Sequence, residues 1–210
     1  MLKVLVVNVK GGCGKTTIAT TIASALANKG MTTALADADR QRSSLDWVQA
    51  RPADAAFVTA LDWTKDKWIG DTPKKLSALV IDAPGSLKGG KLDDLVGEAT
   101  TIFVPVLPSA FDIQATKGFL DQIEEIKRIR KGKARLHLVA NRVRPRARAS
   151  QGLDQFFEKT KQAPLAAIPD RSAYVDLAME GLSVFDKPQK VYEPLRVAFS
   201  PLLQVVEERA

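Results

Sequence analysis

Residues 8–17 read Asn8-Val9-Lys10-Gly11-Gly12-Cys13-Gly14-Lys15-Thr16-Thr17, and this stretch decides the fold. It joins an apolar, β-branched run from Leu2 to Val7 to an Ala-rich helical pattern that opens at Ile18 and continues to Leu26. A strand that enters a helix through three glycines can turn successive backbone N–H groups inward. Together with the positive end of the helix dipole, those groups surround anionic oxygens. In such a loop Lys15 reaches the β- and γ-phosphates of a nucleotide, and the Thr16 hydroxyl sits on Mg²⁺. Gly11, Gly12, Cys13, Gly14 and Thr17 complete the predicted phosphate-binding lining.

Outward from the loop, strand and helix patterns alternate along 210 residues, long enough for one α/β domain with a full core. Strands are expected near 2–8, 32–37, 56–60, 78–82, 100–106, 135–141 and 164–168. Helices are expected near 15–29, 43–50, 64–76, 90–98, 111–130, 149–161, 171–180 and 190–208. This order predicts a single doubly wound domain over 1–210, a mainly parallel sheet of about seven strands with helices on both faces. In such a sheet, ligands bind outside the carboxyl ends of the strands. Lys15, Asp39, Asp82, Asn141 and Asp170 all fall at such ends.

Two of those ends carry carboxylates suited to metal and water. The run Ala34-Leu35-Ala36-Asp37-Ala38-Asp39 closes a strand with two aspartates one residue apart, and alternation would point both to one side. The run Ala78-Leu79-Val80-Ile81-Asp82 ends in an aspartate that can hold a Mg²⁺-bound water. Gly85-Ser86-Leu87-Lys88-Gly89-Gly90-Lys91-Leu92 has phosphate-loop spacing, but Leu92 stands where a hydroxyl is needed, so a flexible loop is expected there. Pro105 within an apolar run argues for an edge strand or an irregular strand end.

The strict phosphate-loop pattern wants glycine where this chain has Val9, and a second lysine, Lys10, stands at the loop's mouth. The stretch resembles the deviant Walker A motif, KGGxGK[ST]T, of the ParA/MinD family of ATPases. A chance match to its six fixed letters in a chain this long is on the order of 10⁻⁵. The resemblance covers essentially the whole chain. It departs at Arg40, where the family's DxDPQ has proline, and at Gly85, where DxPP has proline, which would loosen that switch.

The resemblance implies ATP and Mg²⁺ as cofactors and a chemistry residue by residue. Asp39 would position the attacking water and, with Thr16 and Asp82, stand at the metal; Asp37 would lie nearer the metal and loop. Asn141 would contact the adenine edge, with Arg142, Pro169 and Asp170 beside the base and ribose. Lys10 would cross into a partner subunit and neutralise phosphate there, so that a homodimer exists only with triphosphate. Partners implied are non-specific DNA and a ParB-like or other cargo adaptor that stimulates hydrolysis, in a cytoplasmic, nucleoid-associated protein that segregates a plasmid, chromosome region or protein cluster.

The net charge of +7 is concentrated: Lys127, Arg128, Arg130, Lys131, Lys133, Arg135, Arg142, Arg144, Arg146 and Arg148 have no acidic residue among them. With those ten set aside, 21 of the 31 basic residues remain against 24 acidic ones, so the rest of the chain is slightly negative. Such a block favours a polyanion surface. Arg142, Arg144, Arg146 and Arg148 alternate with other residues, so an extended stretch would point them to one side, with Arg171 and Lys190 as further DNA candidates.

One cysteine excludes a disulfide framework within the chain, and Cys13 beside a helix start would be an oxidisable thiol or a tolerated small residue. Trp47, Trp63 and Trp68 are expected to pack under the helices. No stretch has the apolar length of a membrane span and the start lacks a charged-then-apolar leader, so no membrane association is expected. Two rival readings remain. A MinD-type membrane-positioning ATPase would use the stripe Val191, Leu195, Ala198, Leu202 and Val206, although the tail's Glu207-Glu208 suits packing on the protein. A metabolic synthetase of the dethiobiotin or cobyrinate type would need a second, acid-binding pocket.

Overall fold

Each of the seven apolar runs becomes a strand, and the computed structural model joins them into one sheet. Residues 1–65, 69–87, 90–144, 147–160 and 162–208 are described, the side chains of 148–151 excepted. In chain order the elements are β1 (Leu2–Val6), α1 (Lys15–Asn28), β2 (Thr33–Asp37), α2 (Ser43–Gln49), β3 (Val58–Asp62), β4 (Ala78–Asp82), α3 (Gly90–Glu98) and β5 (Thr101–Val106). They continue as α4 (Ala110–Glu124), α5 (Lys127–Arg130), β6 (Arg135–Val143), α6 (Arg148–Thr160), β7 (Ala166–Pro169), α7 (Ala173–Met179), a 3-10 turn (Lys190–Tyr192) and α8 (Glu193–Glu207).

The order across the sheet is β3-β2-β4-β1-β5-β6-β7, and every pairing is parallel. Central strands with both faces covered read as continuous apolar runs, because each neighbour in sequence enters a different core. Val4, Val6 and Val80 join a core under α1, α7 and α8. Leu5, Leu79 and Ile81 join the opposite core, under α3, α4 and α6. The adjacent strands β1 and β4 therefore send their following helices, α1 and α3, to opposite faces. That divergence opens a crevice at their carboxyl ends, where a doubly wound sheet binds its ligand.

Four expectations need correction. No helix forms over the described part of 64–76. Gly70 and Pro73 interrupt it, and Gly70 lies so close to buried Trp63 that a Cβ there would stand 2.4 Å from its Cδ1. Pro105 sits in β5, an interior strand, yet costs no ladder bond on the β6 side. Its carbonyl faces the side β1 has already left and accepts from the Asn8 side chain at 2.8 Å, so the strand end is irregular there without being an edge.

The helix expected over 111–130 breaks at Ile126, whose ψ of 123° is extended, before the single turn α5. The break lets Ile126 and Ile129 both pack on the far core. The last helix does bury its stripe, with Leu195, Phe199, Leu202, Leu203 and Val206 inside, but Val191 is left exposed in the preceding turn.

The basic block is divided as well. The nine-residue β6 runs through its middle, and at about 3.3 Å per residue its ends lie about 26 Å apart. Lys127 to Arg135 lie at the amino end of the sheet, whereas Arg142 and Arg144 lie at the carboxyl end.

Candidate functional site

The phosphate loop begins from a locked base. Asn8, almost wholly buried, donates to the Pro105 carbonyl and to Thr116 Oγ1 at 3.0 Å, tying the loop's start to β5 and α4. Gly12 and Gly14 then turn at φ of +75° and +91°, a region costly for any residue with a Cβ. Gly14 is doubly constrained, since a Cβ would stand 2.2 Å from Asn141 Nδ2. That amide donates instead to the Cys13 carbonyl at 2.7 Å. Asn141 reaches it because β6 and β7 slip register between Ala140 and Val143, and such a bulge re-aims side chains beside active sites.

The helix that follows has no acidic residue in its first turn and no side-chain cap. Its first N–H groups and dipole are therefore open to an anion. Lys15 Nζ donates to the Lys10 carbonyl at 2.8 Å, folded back across the loop. Cys13 is buried, and burial pushes its thiol above the usual value despite the opposing Lys15 charge. The oxidisable-thiol expectation is therefore set aside in favour of a small packed residue.

Above the loop lies an open cavity of about 1000 Å³ lined by residues 9–12 and 14–18, by Ala38 to Gln41, by Pro84 to Ser86, and by Asn141, Arg142 and Ile168 to Arg171. Lys10, Lys15, Arg40, Lys91, Arg142 and Arg171 face Asp39 and Asp170 around it, a positive excess that suits a polyphosphate. Lys91 was not foreseen; it sits in the second glycine-rich stretch, and its Nζ donates to the Ala38 carbonyl at 3.1 Å. Leu92 beside it is buried in α3's core face.

The carboxylates separate by role. Asp82 is buried; its Oδ2 accepts from Thr16 Oγ1 at 2.7 Å and Ser44 Oγ at 2.6 Å, while Oδ1 has no hydrogen-bond partner. Burial pushes its carboxyl up to about 6, against the pull of Ser44 and Thr16 and helped by Asp37. A buried carboxylate oxygen without a donor, beside the phosphate-loop hydroxyl, is what a divalent cation or its water would satisfy. Thr16 and Asp39 line the cavity and Asp82 stands behind Thr16, hard oxygen donors of the kind that magnesium takes.

Asp37 does not share that wall. Its Oδ1 accepts from the Asp39 N–H at 2.9 Å, and its Oδ2 from the N–H groups of Ser44 and Leu45 at 2.9 and 3.1 Å. It caps α2 from below, fully buried, and burial raises its carboxyl despite those donors. Alternation failed because β2 ends at Asp37, so Asp39 belongs to a turn. The role of Ser44 as Asp82's second donor went unforeseen, although the stretch Ser43 to Trp47 resembles the segment that borders the first switch in the partition ATPases.

At the far wall, Arg142 takes a left-handed φ of 53°, so the stretch is not regularly extended there, yet Arg142 and Arg144 still fall on one side. Both turn to Asp170: Arg142 Nε lies 3.7 Å from Oδ1, and Arg144 approaches Oδ2 at 2.6 Å. Arg171 is exposed on the rim, and Lys190 is exposed in the turn before α8. Arg146, Trp68 and the side chain of Arg148 lie outside the described residues. Trp47 and Trp63 are buried, as expected of packing residues.

The family model for the CobQ/CobB/MinD/ParA nucleotide binding domain matches residues 4–184. The chain belongs to this family. It is 32% identical over 191 residues to maintenance of carboxysome distribution protein A of Halothiobacillus neapolitanus, covering 86% of this chain and 85% of that protein. Its fold matches the MinD cell division protein of Aquifex aeolicus at a TM-score of 0.75 and 16% identity, covering 100% of this chain and 98% of that one. It matches McdA from Cyanothece, solved as an ATP complex, at 0.73 and 12%, covering 99% and 95%.

Proposed function

We propose that this chain is an ATPase that pairs with a second copy while triphosphate is bound, holds DNA without regard to sequence, and positions a cargo by cycles of hydrolysis that a partner protein stimulates. The observation that carries the reading is Lys10, a second lysine at the mouth of a phosphate cavity that Lys15 already serves. Lys15 and the N–H groups of residues 11–17 hold the β- and γ-phosphates, Asn141, Arg142, Pro169 and Asp170 border the nucleoside, and Asp39 orients the attacking water. Thr16, Asp82 and Asp39 hold magnesium, which when bound offsets the charge on the phosphates. Lys10 meets the partner copy's phosphates, where charge supplied in trans stabilises the transition state as an arginine finger does. Loss of the γ-phosphate removes that bridge, and the pair separates.

DNA contacts belong to the carboxyl end of the sheet, on Arg144, Arg171 and Lys190, with Arg146 and Arg148 in the same stretch. Pairing doubles the number of phosphate contacts, and affinity rises steeply with that number. The carboxysome-distribution relative supports cargo positioning over metabolic synthesis. A membrane role through the last helix is disfavoured because α8 buries its apolar face in the core.

Light scattering of the wild-type chain tests the reading. Twice the monomer mass in ATP and magnesium, with monomer in ADP, is expected; monomer in both contradicts it.

A further inference from the structure

Ser44 is fully buried at the start of α2 and touches both carboxylate-bearing strand ends. Its hydroxyl donates to Asp82 Oδ2 at 2.6 Å, the oxygen that also accepts from Thr16 at 2.7 Å. Its backbone N–H donates to Asp37 at 2.9 Å. The residue two positions earlier, Arg42, holds a left-handed φ of 60°, a conformation that persists only when its surroundings over-determine it. Two hydroxyl donors on Oδ2 fix the rotation of the Asp82 carboxylate and leave buried Oδ1 without a donor.

A hydroxyl has one proton. When Thr16 donates its proton to Asp82, its lone pairs remain for a cation, so its hold on Asp82 is tied to the phosphate loop and the metal. Ser44 is the donor not committed to the phosphate loop. We propose that Ser44 is a positioning residue for the magnesium-bound nucleotide, aiming Asp82 at the cation and tying the first turn of α2 to it. The inference rests on the magnesium-nucleotide reading of the cavity. It also makes α2, and the Asp39 turn before it, the part of the fold that follows the metal.

The test is ATP affinity with magnesium and with EDTA, by equilibrium titration of a fluorescent ATP analogue. Ser44→Ala is expected to bind as the wild type does in EDTA, within about twofold, and to lose about tenfold of the gain that magnesium brings, the size of one hydrogen bond to a charged group. Ser44→Thr, which keeps the hydroxyl, restores most of that gain. If Ser44→Ala melts early, Ser44→Cys keeps the volume with only a weak donor and is expected to show the same loss. An unchanged magnesium gain would overturn the proposal, as would equal loss in both conditions, which marks a purely structural role. A wild-type chain that gains nothing from magnesium removes the metal reading itself, and the inference with it.

Discussion

Between residues 10 and 17 the chain turns on Gly12 and Gly14 and doubles back, so that Lys15 reaches the Lys10 carbonyl. Between residues 127 and 148 it runs out along β6, and the described cations lie at opposite ends of that strand, Lys127 to Arg135 at the amino end and Arg142 and Arg144 at the carboxyl end. Both stretches are dense in charge, but only the turning one keeps sequence neighbours together in space. A motif within a loop is thus a site, whereas a charge block spanning a strand is two surfaces. A third arrangement bounds the comparison: Arg51 lies outside the block, buried against Asp186 at 2.6 Å with side chains 4% and 3% exposed.

The largest expected effect is at that buried pair. Asp186→Ala leaves Arg51 without its carboxylate and is expected to cost about 3–5 kcal/mol in urea unfolding at neutral pH. Burial alone would raise the Asp186 carboxyl, but donors from Arg51, Asn28, Ser24 and the Ser183 backbone outweigh it and hold it below its usual value. Its contribution is therefore present above the unfolded carboxylate value of about 4 and is lost as pH falls through the lower folded value. The gap between wild type and variant should narrow on acidification; a gap constant across that range would mean that packing, not charge, holds the site.

Next is the turn that makes the loop local. Gly14→Ala places a Cβ at φ +91° against Asn141 and is expected to cost about 1–3 kcal/mol of stability, with nucleotide affinity falling alongside. Calorimetry showing wild-type binding would mean that the loop does not need Asn141 in its observed position.

The division of the basic block gives the smallest but most specific effect. Arg144→Glu with Arg171→Glu should make the salt dependence of DNA binding shallower by about two units of log–log slope, roughly one per phosphate contact. Lys131→Glu with Lys133→Glu, at the other end of β6, should leave it unchanged. The reverse result would move the DNA surface to the amino end of the sheet.

How much could be read in advance follows the same physics. The strands β1, β2, β4 and β5 were legible because parallel strands buried on both faces are apolar runs, the half-buried edges β3 and β7 by their place in the alternation of elements, and the loop because its contacts are local. The link from Asn8 to Thr116 and the contact of Ser44 with Asp82 were not, since they join residues 108 and 38 positions apart; Thr16 and Asp82 were brought together in advance only by the family resemblance. No helix forms over the described part of 64–76, where Trp63 needs a close backbone at Gly70, a tertiary need that local propensity does not carry. The left-handed turn at Arg142 was not legible either, since it goes with a bulge in the β6–β7 register.

Lys10 is the residue on which the account turns, and its mass signature in solution is the direct measurement. Lys10→Ala, followed by light scattering in ATP and magnesium with hydrolysis blocked, is predicted to bind nucleotide yet remain a monomer where the wild type doubles its mass. A variant that doubles its mass as the wild type does would contradict the account.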